Sequence, residues 1–145
     1  MIEWAQQRCT EVVVFVNTKQ GEAVPGHLRA QWLQELHPAA HVVQVEHNLH
    51  NDWDDQELWA RWIELLQSKW PIRSGPSSKG PEVVVSSDFY IAELARRLGA
   101  LPLICDPERA HVPISATLIR NDPATHLELL APQVRDWVER NWLNM

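Results

Sequence analysis

Four short runs of β-branched and apolar residues recur along the chain, at residues 11–17 (EVVVFVN), 41–46 (HVVQVE), 82–87 (EVVVSS) and 101–105 (LPLIC). The first, apolar almost throughout and without strict alternation, predicts a buried strand, and the other three predict further strands. The stretches between them have helical spacing. Residues 28–36 place Leu28, Trp32 and Leu36 on one stripe, with Pro38 beyond its end. Residues 56–69 carry a broad apolar face of Leu58, Trp59, Trp62, Ile63 and Leu66, closed by Pro71. Residues 89–98 predict a further helix with Gly99 as its C-cap. Residues 1–8 read as the end of a helix, and residues 124–142 as helix interrupted at Pro132. Residues 47–55 are polar and loop-like. The Gly, Pro and Ser content of residues 73–81 predicts a surface loop.

This order predicts an α/β fold with a doubly wound parallel sheet, one domain spanning residues 1–145. In such sheets ligands sit beyond the carboxyl ends of the strands, where Asn17, His47, Ser86 and Asp106 fall. After the fourth run comes Val112-Pro113-Ile114-Ser115-Ala116-Thr117-Leu118-Ile119-Arg120. Ser115 suits an N-cap, so residues 116–120 form a short helix stopped by Asn121-Asp122-Pro123. Free N–H groups at that start, the Ser115 and Thr117 hydroxyls and the guanidinium of Arg120 together predict a phosphate clamp.

Composition narrows the class. The net charge of −6 and the absence of a basic stripe argue against a partner recognised through a basic surface, whether nucleic acid or an anionic membrane. No apolar run reaches the roughly eighteen residues of a membrane span, and the first residues lack the basic start of a secretory signal. Cys9 and Cys105 are far apart, which implies no disulfide framework, no cysteine-based zinc site and a reducing cytoplasm. His47, His50, Asp52, Asp54 and Asp55 are metal-ligand types without a recognisable ligand spacing, and they read as a solvated loop on the substrate side; no protein metal site is expected. Most of the eight tryptophans read as packing residues on helical stripes.

The Ser115-x-Thr117-x-x-Arg120 run resembles the ISTxxxR-type signature of nucleotidyltransferases, in particular the NadR-like branch of the nicotinamide mononucleotide (NMN) adenylyltransferases. Pro25 with Arg29, following Asn17-Thr18, is similar to that family's P-x-x-x-R segment. Trp59-Ala60-Arg61-Trp62-Ile63 resembles its tryptophan segment, with Trp62 matching best and Trp59 as the alternate. Ser86-Ser87-Asp88-Phe89-Tyr90 is similar to the turn that approaches adenylate, and Asp106 and Arg109 match a D-P-x-R stretch before the clamp. The resemblance implies a Rossmann-like fold and transfer of AMP from ATP to NMN, giving NAD and pyrophosphate, with magnesium carried by the ATP. It assigns Ser115, Thr117 and Arg120 to catalysis. Nucleotide binding falls to those three with Ala116, Ser86, Ser87, Asp88, Tyr90, Asp106 and Arg109. Asn17, Arg29, Trp62 and Trp59 become substrate-binding residues.

One part of the pattern is missing. The family opens with a strand, a glycine-containing loop and an H-x-G-H motif whose histidines contact the triphosphate, and no H-x-G-H occurs in this sequence. The resemblance therefore implies a sheet without its first, central strand, whose two neighbours each leave orphan main-chain groups costing on the order of 1–3 kcal/mol. An upstream start codon is the favoured explanation; a fragment or decayed gene product, or direct pairing of the flanking strands, are the others. Activity of this polypeptide is expected to be weak or absent. The alternatives are a nucleotide-binding remnant without turnover and a sister adenylyl- or cytidylyltransferase with another phosphate acceptor. Homo-oligomerisation stays open.

Overall fold

The computed structural model describes residues 1–106 and 115–143, so Arg109 lies outside the described residues. The architecture is mixed α/β, and the chain divides into two compact units, Met1–Pro107 and Glu108–Met145.

In the first unit, α1 (Ile2–Gln6) leads into β1 (Val13–Thr18), α2 (Gly26–Leu36), β2 (His41–Glu46), α3 (Gln56–Ser68), β3 (Val83–Ser86), α4 (Ile91–Leu98) and β4 (Leu101–Ile104). The β-branched runs form strands where the sequence predicts them. Their pairing differs from a single sheet: β1 pairs in parallel with β2, from Val13 opposite His41 to Thr18 opposite Glu46, and β3 pairs in parallel with β4, from Val83 opposite Leu101 to Ser86 opposite Ile104. These are two separate two-stranded sheets. Between β1 and β3 runs a groove of about 670 Å³ lined by both strands and by residues of α1, α3 and α4. Consequently Val13, Val14 and Phe15, in the run that reads as a buried strand, are only half-buried, and so are Val83, Val84 and Val85.

The core of this unit is small. Val45 and Ile91 are its largest fully buried side chains, joined by Val16, Trp32, Leu58, Trp59, Ala95 and Cys105. Helix ends follow local chemistry. The Asp55 carboxylate accepts the Leu58 N–H at 3.1 Å and caps α3. Gly99 at φ 70° ends α4, with the Ala100 N–H reaching the Ala95 carbonyl (2.8 Å) and the Gly99 N–H that of Arg96 (3.3 Å). Helix α4 begins at Ile91, two residues later than predicted, because residues 88–90 make a turn closed by Ile91 N–H to the Asp88 carbonyl. Helix α2 begins earlier than its apolar stripe, at Gly26, because Pro25 fixes a backbone angle suited to helix entry.

In the second unit α5 (Ala116–Asn121) and α6 (Pro123–His126) are followed by a 3-10 turn (Leu127–Leu129), α7 (Pro132–Val138) and a π-type turn (Glu139–Leu143). The predicted helical stretch is thus divided, with Pro123 and Pro132 each opening a new helix, where a missing N–H costs nothing. Arg135 ties the segments by donating to the carbonyls of Leu127 (3.0 Å) and Leu130 (3.3 Å). Among the described residues no helix is long and apolar enough to cross a membrane.

Candidate functional site

At the carboxyl end of β1, Arg29 closes the loop that precedes α2. Its Nη2 donates to Glu22 Oε1 at 2.6 Å and to the Asn17 carbonyl at 3.3 Å, and its Nε donates to the Val24 carbonyl at 3.3 Å. The same Glu22 oxygen accepts the Lys19 N–H at 2.7 Å. Asn17 and Arg29 are therefore brought together, with Arg29 fastening the loop.

Beyond β2, His47 Nδ1 accepts the Leu49 N–H at 3.1 Å, which leaves the ring proton on Nε2 when the imidazole is neutral. Partial burial, then the nearby Lys19 charge, lowers the His47 pKa, favouring that neutral form. The ring meets Trp62 edge to face at 4.5 Å between centroids. Trp62 Nε1 donates to the His50 carbonyl at 2.9 Å, and Trp59 Nε1 to the Trp53 carbonyl at 3.0 Å. Two indoles of α3 thus pin the polar loop from below. Trp62 is half-buried, whereas Trp59 is 4% exposed, with Arg97 over its ring at 4.9 Å and Trp53 alongside at 5.4 Å. Trp59 is a core residue. Arg97 is itself held by Glu93 at 2.7 Å and by the Gln56 side chain, which couples α4 to α3.

The turn after β3 gathers the predicted Ser86, Ser87, Asp88 and Tyr90. The buried Ser86 Oγ accepts the Asp88 N–H at 3.1 Å, and the Ser87 hydroxyl donates to the Cys105 carbonyl at the end of β4. Burial, and next the Asp88 carboxylate, push the Tyr90 phenol up from its ordinary value. Trp53 stacks on Tyr90 at 4.7 Å with the planes 8° apart, and Phe89 stands edge-on to both at 5.9 and 6.2 Å. Phe89 is 80% exposed. This aromatic platform joins the loop after β2 to the turn after β3. Sequence reasoning placed Trp53 in a solvated loop and gave Phe89, at the junction of the turn after β3 and the helix that follows, no role of its own. The available signal was a tryptophan isolated among acids (Asn51-Asp52-Trp53-Asp54-Asp55) and an adjacent aromatic pair at a strand end.

Asp106, after β4, adopts φ 46°, a left-handed backbone that aspartate tolerates better than most residues. In the second unit Ser115 is the predicted N-cap: its extended backbone (φ −132°, ψ 158°) lets Oγ accept the Leu118 N–H at 3.3 Å. Ala116, Thr117 and Arg120 follow on the same exposed helix, with Arg120 Nη2 3.5 Å from Thr117 Oγ1. The first unit therefore brings together Asn17 with Arg29, and Ser86 with Ser87, Asp88 and Tyr90; the second brings together Ser115, Ala116, Thr117 and Arg120. Among the described residues no group of three or more His, Cys, Asp or Glu side chains is arranged to hold a metal ion. No protein-family model and no curated protein matches the chain.

Proposed function

We propose that the chain is a nucleotide-binding protein of the nucleotidyltransferase type, on a Rossmann-like plan, that transfers AMP from ATP to NMN. The observation that carries this reading is the gathering of polar and aromatic side chains at the carboxyl ends of β1, β2 and β3. Asn17 with Arg29, His47 with Trp62, and the Ser86–Tyr90 turn with Trp53 all fall where α/β sheets bind ligands. Of the residues matched by resemblance, Asn17, Arg29, Trp62, Ser86, Ser87, Asp88 and Tyr90 are among them. In the transfer, an NMN phosphate oxygen attacks the α-phosphorus of ATP, a new P–O bond forms, and the bond to the β-phosphate breaks to release pyrophosphate. The attacking phosphate is ionised at neutral pH, so no general base is required. The protein's task is to align two anions and stabilise developing charge, assigned here to Ser115, Thr117 and Arg120. Flat rings find stacking partners in Trp62 and in the exposed face of the Trp53–Tyr90–Phe89 platform, worth about 0.5–1.5 kcal/mol each.

A second reading is supported by Arg29, whose guanidinium is engaged with Glu22 and two carbonyls, and by the missing H-x-G-H. With fewer cations for the triphosphate, the same surface would bind nucleotide without turnover. Incubating the chain with ATP, magnesium and NMN while following pyrophosphate and NAD separates the two. Product marks a transferase, and saturable ATP binding by calorimetry without product marks a binder. Absence of both discards the nucleotide reading.

A further inference from the structure

The groove between β1 and β3 is bordered by two rows of main-chain groups. In a parallel ladder alternate residues turn their N–H and C=O to one neighbour and the intervening residues to the other. The His41 and His47 N–H groups bond the carbonyls of Val12 and Thr18, both at 2.9 Å, so the even-numbered residues of β1 serve β2. Val13 and Phe15 therefore turn theirs toward the groove, while the Asn17 carbonyl is taken by Arg29. Likewise Leu101 and Cys105 bond the carbonyls of Glu82 and Ser86 at 3.0 and 2.9 Å, leaving Val83 and Val85 to face it from the other side.

The outer edges of both sheets are treated differently. On β2, Gln34 uses its side-chain amide as a substitute strand: Oε1 accepts the Val42 N–H at 3.4 Å and Nε2 donates to the Ala40 carbonyl at 2.9 Å. On β4 the outward-facing position opposite Val84 is Pro102, which has no N–H to offer. Each outer edge thus carries one block to further pairing, the usual defence of a sheet edge. At Val13, Phe15, Val83 and Val85 the inner edges carry no such side-chain cap, and the side chains there are apolar. The charged residues of the lining are Glu11 and Glu82 with Arg8 at one mouth and Asp88 at the other, acidic in balance.

From this we infer that the β1–β3 groove is an acceptor slot for one extended β-strand of a partner polypeptide, apolar in its middle and basic at its flanks. The strand adds main-chain hydrogen bonds to both inner edges and merges the two pairs into one sheet. A small apolar molecule would fill volume but leave the Val13, Phe15, Val83 and Val85 groups unpaired, and so does not meet the slot's demand. The inference does not depend on nucleotide binding; the slot falls where the resemblance implies an absent central strand, and a chain extended by that strand is expected not to bind the peptide.

The test uses the full chain and a synthetic peptide of six alternating valines and isoleucines flanked by lysines, read by amide hydrogen exchange. At a peptide concentration ten times its Kd, the Val13, Phe15, Val83 and Val85 amides are expected to slow about tenfold. Without peptide they exchange faster than those of Val14, Val16 and Val84. The same peptide N-methylated at alternate residues, which removes N–H groups while keeping the apolar surface, is expected to bind at least about tenfold more weakly. Three results overturn the proposal: no slowing at those four positions, equal binding of the N-methylated peptide, or protection there already in free protein that rises with protein concentration. The last would mean that a second copy of the chain fills the groove.

Discussion

Gly26 packs against Thr18 so closely that a β-carbon on the glycine would stand 2.1 Å from Thr18 Oγ1 and 2.7 Å from Thr18 Cβ. The contact seats the first turn of α2 on the last residue of β1, and it sets the position of the loop that Arg29 closes. Only a residue without a side chain permits that approach.

Gly26→Ala is therefore expected to destabilise the fold by about 1–3 kcal/mol, as overpacking of a tight site does. Trimming Thr18 to Ala removes the Oγ1 and Cγ2 clashes but not the one with Cβ, so the double variant should regain part of the loss. Urea unfolding of the three variants checks both statements. A neutral Gly26→Ala would mean that α2 docks further from β1.

A second expectation concerns pH. The His47 pKa is lowered by burial first and by Lys19 next, so folding favours the neutral ring. A base with a depressed folded pKa contributes stability that is fully present above its unfolded value of about 6.5 and is lost as pH falls through the folded value. Wild-type stability should decline below about pH 6.5 more steeply than that of His47→Gln. NMR titration of the imidazole should give a midpoint below 6.5. Because the ring lies on Trp62, indole fluorescence should change over the same interval, and Trp62→Phe should remove that change.

How much of this was legible in the sequence depends on the range of the interaction. Val13–Thr18 and His41–Glu46 were readable because β-branched runs state their own conformation; Gly99 and Ser115 were readable because caps act within four residues. The division into two sheets was not, since pairing depends on which strand lies beside which, and no local pattern records a neighbour. Trp59 and Trp62 are three residues apart on one apolar face, yet one is core and the other half-buried, a difference set by Arg97 and Trp53 from elsewhere in the chain. The Trp53–Tyr90 stack spans 37 positions and was equally hidden.

The Glu22–Arg29 pair supplies a third expectation. Its side chains are 35% and 31% exposed, so solvent screening limits its worth to about 1 kcal/mol or less. Glu22→Gln should therefore cost little stability. If Arg29 also meets an anionic ligand, that variant frees the guanidinium and should lower the Kd for ATP or NMN by up to about fivefold. Arg29→Ala should raise it. Isothermal titration of both variants checks the pair, and an unchanged Kd in both would confine Arg29 to loop closure.

The remaining expectation separates a helix cap from a phosphate ligand on the same short helix. Ser115 Oγ accepts the Leu118 N–H, so Ser115→Ala should weaken α5 by about 1 kcal/mol whether or not any ligand binds there. Arg120 has a different signature. It is exposed and its contact with Thr117 is long, at 3.5 Å, so Arg120→Ala should leave stability within about 0.5 kcal/mol of the parent. A charge-assisted contact to a triphosphate is worth about 1.5–3 kcal/mol, so the same variant should weaken ATP binding by at least about tenfold, and Arg120→Lys should restore part of it. Thermal unfolding and ATP titration on the three proteins resolve the roles. If Arg120→Ala binds ATP as the parent does, the clamp assignment fails and Ser115 remains a cap alone.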